Sequence, residues 1–171
     1  KIFGKKNQNG GFMIVQKYRK TTKMQRSIWD EKEFVNERGT ESVKDNFGKI
    51  DFVYPKSPFT IKRVIELGSD SKSMIMDYFA GTGTTGYATI LQNREDGGTR
   101  KYILCEMAEY FNSVTKPRIE KVIYSEDWKD GKPVSRKGIS QCFKYIRLEQ
   151  YEDTLNNLQP KHQRLNFSGE D

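Results

Sequence analysis

Asp77-Tyr78-Phe79-Ala80-Gly81-Thr82-Gly83-Thr84-Thr85-Gly86 is the stretch whose reading decides the fold. Met74-Ile75-Met76 leads into it with apolar residues on both faces, as in a strand buried inside a parallel sheet. A helical pattern, Thr85–Gln92, follows it. Between strand and helix, glycines let the backbone turn tightly and approach a ligand, while the helix start offers unpaired N–H groups to an anion.

Outward from this loop the chain alternates strand and helix. Asp96-Gly97-Gly98 makes a turn into a second buried strand, Lys101-Tyr102-Ile103-Leu104-Cys105-Glu106. From Ala108 to Tyr124 the spacing is helical, with a kink or break expected at Pro117. Lys129–Gly138 reads as a loop, Cys142–Leu148 alternates like a third strand, and Glu149–Leu158 reads as a closing helix. Upstream, Glu31–Lys49 has few apolar positions and reads as loop or irregular helix. Ile50–Tyr54 is a short strand-like run, and Ser57 or Pro58 opens a helix that Gly68 closes. The order implies an α/β fold, a mostly parallel sheet with flanking helices.

Three ligand classes compete for the glycine loop. A Walker phosphate loop fails because Tyr87 stands where a lysine is required. A dinucleotide fits the spacing: Gly81, Gly83 and Gly86 match G-x-G-x-x-G, and Glu106 lies 20 residues beyond Gly86, where a ribose-binding acid belongs. S-adenosylmethionine explains one residue more. Asp77 at a strand end suits its ammonium and sulfonium charges, whereas beside a pyrophosphate an acid would repel. The loop amides then take the carboxylate, Glu106 the ribose diol, and Phe79 with Met107 the apolar parts of the adenosine. Against these roles stand plainer ones, a turn cap for Asp77 and a surface acid for Glu106.

Composition excludes other chemistry. The only histidine, His162, lies in a polar tail, which removes a histidine triad or histidine metal cluster. Cys105 and Cys142 are single thiols in strand-like runs, so neither a disulfide scaffold nor a cysteine-rich zinc site is expected, and the compartment reads as reducing. No apolar run approaches a membrane span. The net charge of +7 falls entirely in residues 1–30, which hold eight basic side chains against the single acid Asp30. Amides and Tyr18 interleave with those cations, a composition suited to phosphate contact and base-edge reading, or else to a solvated basic hairpin.

The loop resembles the D-x-F-A-G-S/T-G-T-T cofactor motif of amino-directed DNA methyltransferases, and Phe52-Val53-Tyr54-Pro55-Lys56-Ser57-Pro58 is similar to their Pro-Lys segment. That segment just ahead of the glycine loop matches the permuted β group. The likeness continues through Thr115-Lys116-Pro117-Arg118-Ile119, Trp128-Lys129-Asp130-Gly131-Lys132-Pro133 and Leu148-Glu149-Gln150-Tyr151-Glu152-Asp153. Together these resemble the C-terminal part of the modification (Mod) subunit of type III restriction–modification systems, an adenine-specific DNA methyltransferase.

The resemblance implies a partial Rossmann-like methyltransferase fold that takes S-adenosyl-L-methionine. The cofactor residues it implies are Asp77, Phe79, Ala80, Gly81, Thr82, Gly83, Thr84, Thr85, Glu106 and Met107, with Pro55, Lys56 and Ser57 closing the methionine end. Lys17, Arg19, Lys20, Lys23 and Arg26 are then candidate DNA contacts. Residues 1–30 would be the stub of a target-recognition region, 31–158 the cofactor-binding part, and 159–171 a frayed tail. Double-stranded DNA, a restriction (Res) subunit and a second Mod copy are the implied partners, in the bacterial cytoplasm with no membrane. The family's Asp-Pro-Pro-Tyr catalytic loop has no counterpart here, so the chain reads as a fragment holding the cofactor half, able to bind but not to turn over. The rival readings are a nicotinamide-dependent oxidoreductase and a non-catalytic DNA-binding or subunit-interaction module.

Overall fold

The structure, a computed structural model, describes residues 2–16, 24–49, 52 and 54–158. The chain divides into two compact units, Lys1–Gly138 and Ile139–Asp171.

The first unit opens with an antiparallel hairpin, β1 (Ile2–Lys6) paired with β2 (Phe12–Gln16) in the register Lys6↔Phe12. Asn7 closes its turn, accepting from the Gly11 N–H through Oδ1 at 2.8 Å. The hairpin packs on no other element among the described residues. Next comes α1 (Glu37–Phe47), a regular helix where loop or irregular helix was expected. Its buried face is Gly39, Val43 and Asn46, too small and polar to stand out as an apolar stripe.

The helix α2 (Pro58–Gly68) has the expected ends, with Ser57 in extended conformation at the N-cap and Pro58 at the first position. Of the strand-like run before it, Phe52 and Tyr54 are not in a strand, and Ile50, Asp51 and Val53 lie outside the described residues.

The centre of the unit is β3 (Met74–Asp77), α3 (Thr84–Asp96) and β4 (Lys101–Leu104), with the two strands parallel in the register Asp77↔Leu104. Burial along α3 runs round the helix, with the three consecutive residues Ala88, Thr89 and Ile90 all buried, because it is packed by α2, β4 and the following helix at once. The helix runs four residues past the expected Gln92, and Gly97 ends it in the left-handed conformation. Ile65, Ala88, Ile90, Ile119 and Val122 form the core. The side of the sheet away from α3 is open, and Met74, Met76 and Ile103 on it are exposed.

The break expected at Pro117 takes the form of a π-helical turn, Phe111–Thr115, before α4 (Lys116–Tyr124). Pro117 has no N–H for the carbonyl four residues back, and the turn widens so that the Lys116 N–H reaches the Phe111 carbonyl. The expected loop after α4 contains a small hairpin, β5 (Trp128–Lys129) and β6 (Lys132–Pro133). Asp130 and Gly131 join the strands with φ of 49° and 80°, the paired positive angles of a type I′ turn.

In the second unit the expected strand Cys142–Leu148 is not formed: the stretch is irregular and exposed, and its backbone joins no ladder among the described residues. The closing helix is α5 (Tyr151–Asn157), exposed along its length. The tail 159–171, with His162, lies outside the described residues. The architecture is thus mixed α/β with three two-stranded sheets among the described residues, one of them parallel.

Candidate functional site

Because β3 and β4 run in the same direction, their C-terminal ends share one edge, and the loop 78–83 crosses it. The Cys105 N–H donates to the Asp77 carbonyl at 2.8 Å, and the Ala80 N–H to the Cys105 carbonyl at 3.0 Å. Gly81 and Gly83 then take φ of 53° and 77°, folding the chain back into α3 at an angle only glycine adopts freely.

Both acids of the strand ends are turned into this loop. Asp77 Oδ1 accepts from the Phe79 N–H at 3.1 Å, and Oδ2 from the Thr85 hydroxyl at 2.5 Å. Glu106 Oε2 accepts from the Gly81 N–H at 2.9 Å, and Oε1 from the N–H groups of Met107 and Ala108 at 2.9 and 3.0 Å. Burial of Glu106 works to raise its pKa, but the N–H groups of Ala108, Gly81 and Met107 and the Tyr110 hydroxyl outweigh it and hold the carboxyl below its ordinary range. The Tyr110 ring in turn meets Phe52 edge-on, with centroids 5.2 Å apart.

The underside of the loop is fixed by the π turn and α4. The Thr115 hydroxyl donates to the Gly81 carbonyl at 2.5 Å. Arg118, fully buried, donates to the Thr82 carbonyl at 3.3 Å and to the Thr82 and Thr84 hydroxyls at 2.7 and 3.2 Å. Gly86 lets α3 approach closely, since a Cβ there would stand 2.8 Å from Ile119 and 2.9 Å from Leu104.

The sequence-predicted residues therefore divide. Asp77, Gly81, Gly83, Thr85 and Glu106 are brought together at the strand edge. Ala80, Thr82 and Thr84 belong to the same loop, but their side chains are buried, so only their backbone can face a ligand. Phe79 and Met107 stand in solvent at the two strand exits, 81% and 94% exposed. Pro55 and Ser57 are buried, with the Ser57 hydroxyl donating to the Glu33 carbonyl at 2.8 Å, while Lys56 is exposed. Nothing among the described residues bonds these three to the loop; the nearest link is Phe52, whose ring would lie 4.0 Å from a Cβ on Gly81. Lys17, Arg19, Lys20 and Lys23 lie outside the described residues, and Arg26 is exposed, 3.7 Å from Asp30.

Two clefts of about 350 and 200 Å³ are lined in part by Phe59, Arg94, Glu126 and Trp128, and neither includes the loop or Glu106. The chemistry of the strand edge outweighs their concavity, because the edge alone gathers two carboxylates, a glycine loop and a helix start. No group of three or more His, Cys, Asp or Glu that could hold a metal ion occurs among the described residues.

The DNA methylase family profile matches residues 4–117, which include the whole strand edge. The chain belongs to the DNA methylase family. Among individual relatives, the Mod subunit of the type III restriction–modification enzyme StyLTI of Salmonella typhimurium is 38% identical over 80 residues, 47% of this chain and 12% of that protein. The type II methyltransferase M.KpnI of Klebsiella pneumoniae is 36% identical over 107 residues, 61% of this chain and 25% of the relative. The EcoPI Mod subunit of Escherichia phage P1 is 30% identical over 123 residues, 72% of this chain and 18% of that subunit. The chain thus spans a quarter or less of the length of these relatives.

Within this DNA methylase chain, the sequence alone assigns no role to Thr115, Tyr110 or Arg118, although Thr115 and Arg118 stand in the matching stretch. Arg118 left one signal: it shares the face of Thr115, Ile119 and Val122, where a charge among inward-facing positions marks a buried interaction.

Proposed function

We propose that the loop 77–85 and Glu106 bind S-adenosylmethionine, and that the protein in its intact form methylates the exocyclic amino group of adenine in DNA. The observation that carries this reading is the pairing of two carboxylates, Asp77 and Glu106, at the ends of adjacent parallel strands, with a glycine loop between them that opens α3. On this reading β3 and β4 are part of a Rossmann-like methyltransferase sheet.

The residues fit the cofactor's charges. Asp77 suits the cationic methionine end, the start of α3 suits the carboxylate, and Glu106 can accept ribose hydroxyls in exchange for loop N–H donors it now holds. When bound, the cofactor supplies an electrophilic methyl group on its sulfonium. The chain's own residues, Asp77 and the loop amides, would orient that end; Pro55–Ser57 would complete the methionine side. Holding a flipped adenine is the task of an Asp-Pro-Pro-Tyr loop, which these 171 residues do not contain, so we propose binding without turnover for this chain alone. The resemblance to type III Mod subunits extends the proposal to double-stranded DNA contacted through residues 1–30, to a restriction subunit and a second Mod copy, and to the bacterial cytoplasm.

Calorimetric titration with S-adenosylmethionine and, separately, with NAD tests the reading. Binding of the first and not the second is expected, and binding of NAD alone overturns it. Asp77→Asn keeps one acceptor, for the Phe79 N–H, and turns its amide NH2 to the Thr85 hydroxyl, which then accepts; it removes the charge and should weaken the cofactor by about 1–3 kcal/mol.

A further inference from the structure

Arg118 is a buried cation with neutral partners. Its Nε donates to Asn46 Oδ1 at 3.1 Å, one terminal nitrogen to Thr82 and Thr84, and the other to the Ser42 hydroxyl at 2.8 Å. Its guanidinium carbon lies 5.2 Å from the centre of the Tyr87 ring. No described carboxylate lies within ion-pair distance of it. Taking an ion out of water costs several kcal/mol, and a buried arginine ordinarily recovers that from an acid. Here the charge sits beneath Thr84, the first residue of α3, where the helix already carries about half a positive charge. Two positive ends gathered in one place disfavour the protein alone and favour an anion between them. The same contacts keep the nearest hydroxyls, Thr82 and Thr84, turned down to Arg118, and no described side chain caps the first-turn N–H groups of α3.

We propose that Arg118 is a positioning residue of the loop, which holds Thr82 and Thr84 from below and supplies the positive charge that selects a ligand carrying a carboxylate. The inference rests on the cofactor reading above and names the group Arg118 acts on, the carboxylate of the methionine end, without contact between them. Burial pushes the Arg118 guanidinium down to about 10, which leaves it charged at neutral pH.

The test compares two ligands on the full chain by calorimetry: S-adenosylmethionine and decarboxylated S-adenosylmethionine, which lacks only the carboxylate. Arg118→Met should lower the preference for the carboxylate-bearing ligand by about tenfold, the scale of a charge at several ångströms in a partly screened interior. Arg118→Lys, which keeps the charge and loses the fork, should restore most of it. Asn46→Asp covers the case in which Arg118→Met does not fold, because it sets a carboxylate on the Nε and neutralises the charge in place. The preference should then fall while the melting temperature holds or rises, an outcome that a purely structural role would not produce. An unchanged preference in Asn46→Asp, or an equal loss for both ligands in Arg118→Met, overturns the inference. Failure of the unsubstituted chain to bind either ligand overturns the cofactor reading instead, and this inference with it.

Discussion

Glu106 accepts from three backbone N–H groups and the Tyr110 hydroxyl, so one side chain fastens the glycine loop to the end of β4. Its carboxyl is held below the ordinary value of 4.5, which makes the fastening depend on pH. A group with a lowered folded pKa contributes stability above its unfolded value and loses it as pH falls through the folded one. The melting temperature should therefore drop more steeply below about pH 4.5 in the native chain than in Glu106→Gln, whose neutral amide has nothing to protonate. Parallel curves from a thermal-shift series would remove Glu106 from the fastening. Asp77 and Glu106 were legible in the sequence because Asp77 ends β3 and Glu106 follows the end of β4 at Leu104 by two residues, and the ends of neighbouring parallel strands share one edge. The face Arg118 shares with Ile119 and Val122 marks it as inward, but its partners were not legible, since Thr82 and Asn46 are 36 and 72 residues away along the chain. The inward turn of the Thr82 and Thr84 side chains follows from those contacts and was hidden with them.

At the scale of elements, local chemistry and tertiary contact decide different things. The ends of α2 could be read because Pro58 suits the first helical position and Gly68 the last, although the Ser57 hydroxyl turns away to the Glu33 carbonyl and does not cap the helix. The helix α1 could not, because it is held by close approach and not by apolar area. A Cβ on Gly39 would collide with the Pro55 carbonyl oxygen and lie 2.7 Å from its carbon. Gly39→Ala adds about 1 kcal/mol of helix propensity, yet both obstacles are backbone and cannot rotate away. The collision should win, with a net loss of about 2 kcal/mol or more in denaturant unfolding. A neutral or stabilised variant would mean that α1 does not rest on the Pro55–Ser57 segment. The strand expected at Cys142–Leu148 fails for the opposite reason: its alternation is a sound local signal, but a strand exists only as part of a ladder.

For the molecule as a whole, the charge and the fold are separated along the chain. Residues beyond 30 carry 22 basic and 22 acidic side chains, and the α/β body with its strand edge is built from them. The entire excess of +7 lies in the first thirty residues, whose described part includes a hairpin that packs on no other described element and exposes Lys5 and Lys6. A lone two-stranded hairpin is marginal in water, and its own apolar residues Phe12 and Ile14 are exposed, so its ordered use calls for a surface to lie on. Among the cations of this segment Arg26 already faces the only acid, Asp30, across 3.7 Å of exposed surface, a pairing too weak to withhold it from a phosphate. If about four of the eight cations meet phosphates, the logarithm of DNA affinity should fall against the logarithm of salt concentration with a slope near −3.6. Replacing Lys5 and Lys6 together by glutamate should flatten that slope by about 1.8 if both are among the contacts, because each phosphate contact contributes about 0.9. The body should keep its melting temperature in that variant, since neither lysine touches it. A slope near zero in the native chain would detach residues 1–30 from DNA and leave a solvated basic segment beside a neutral α/β body.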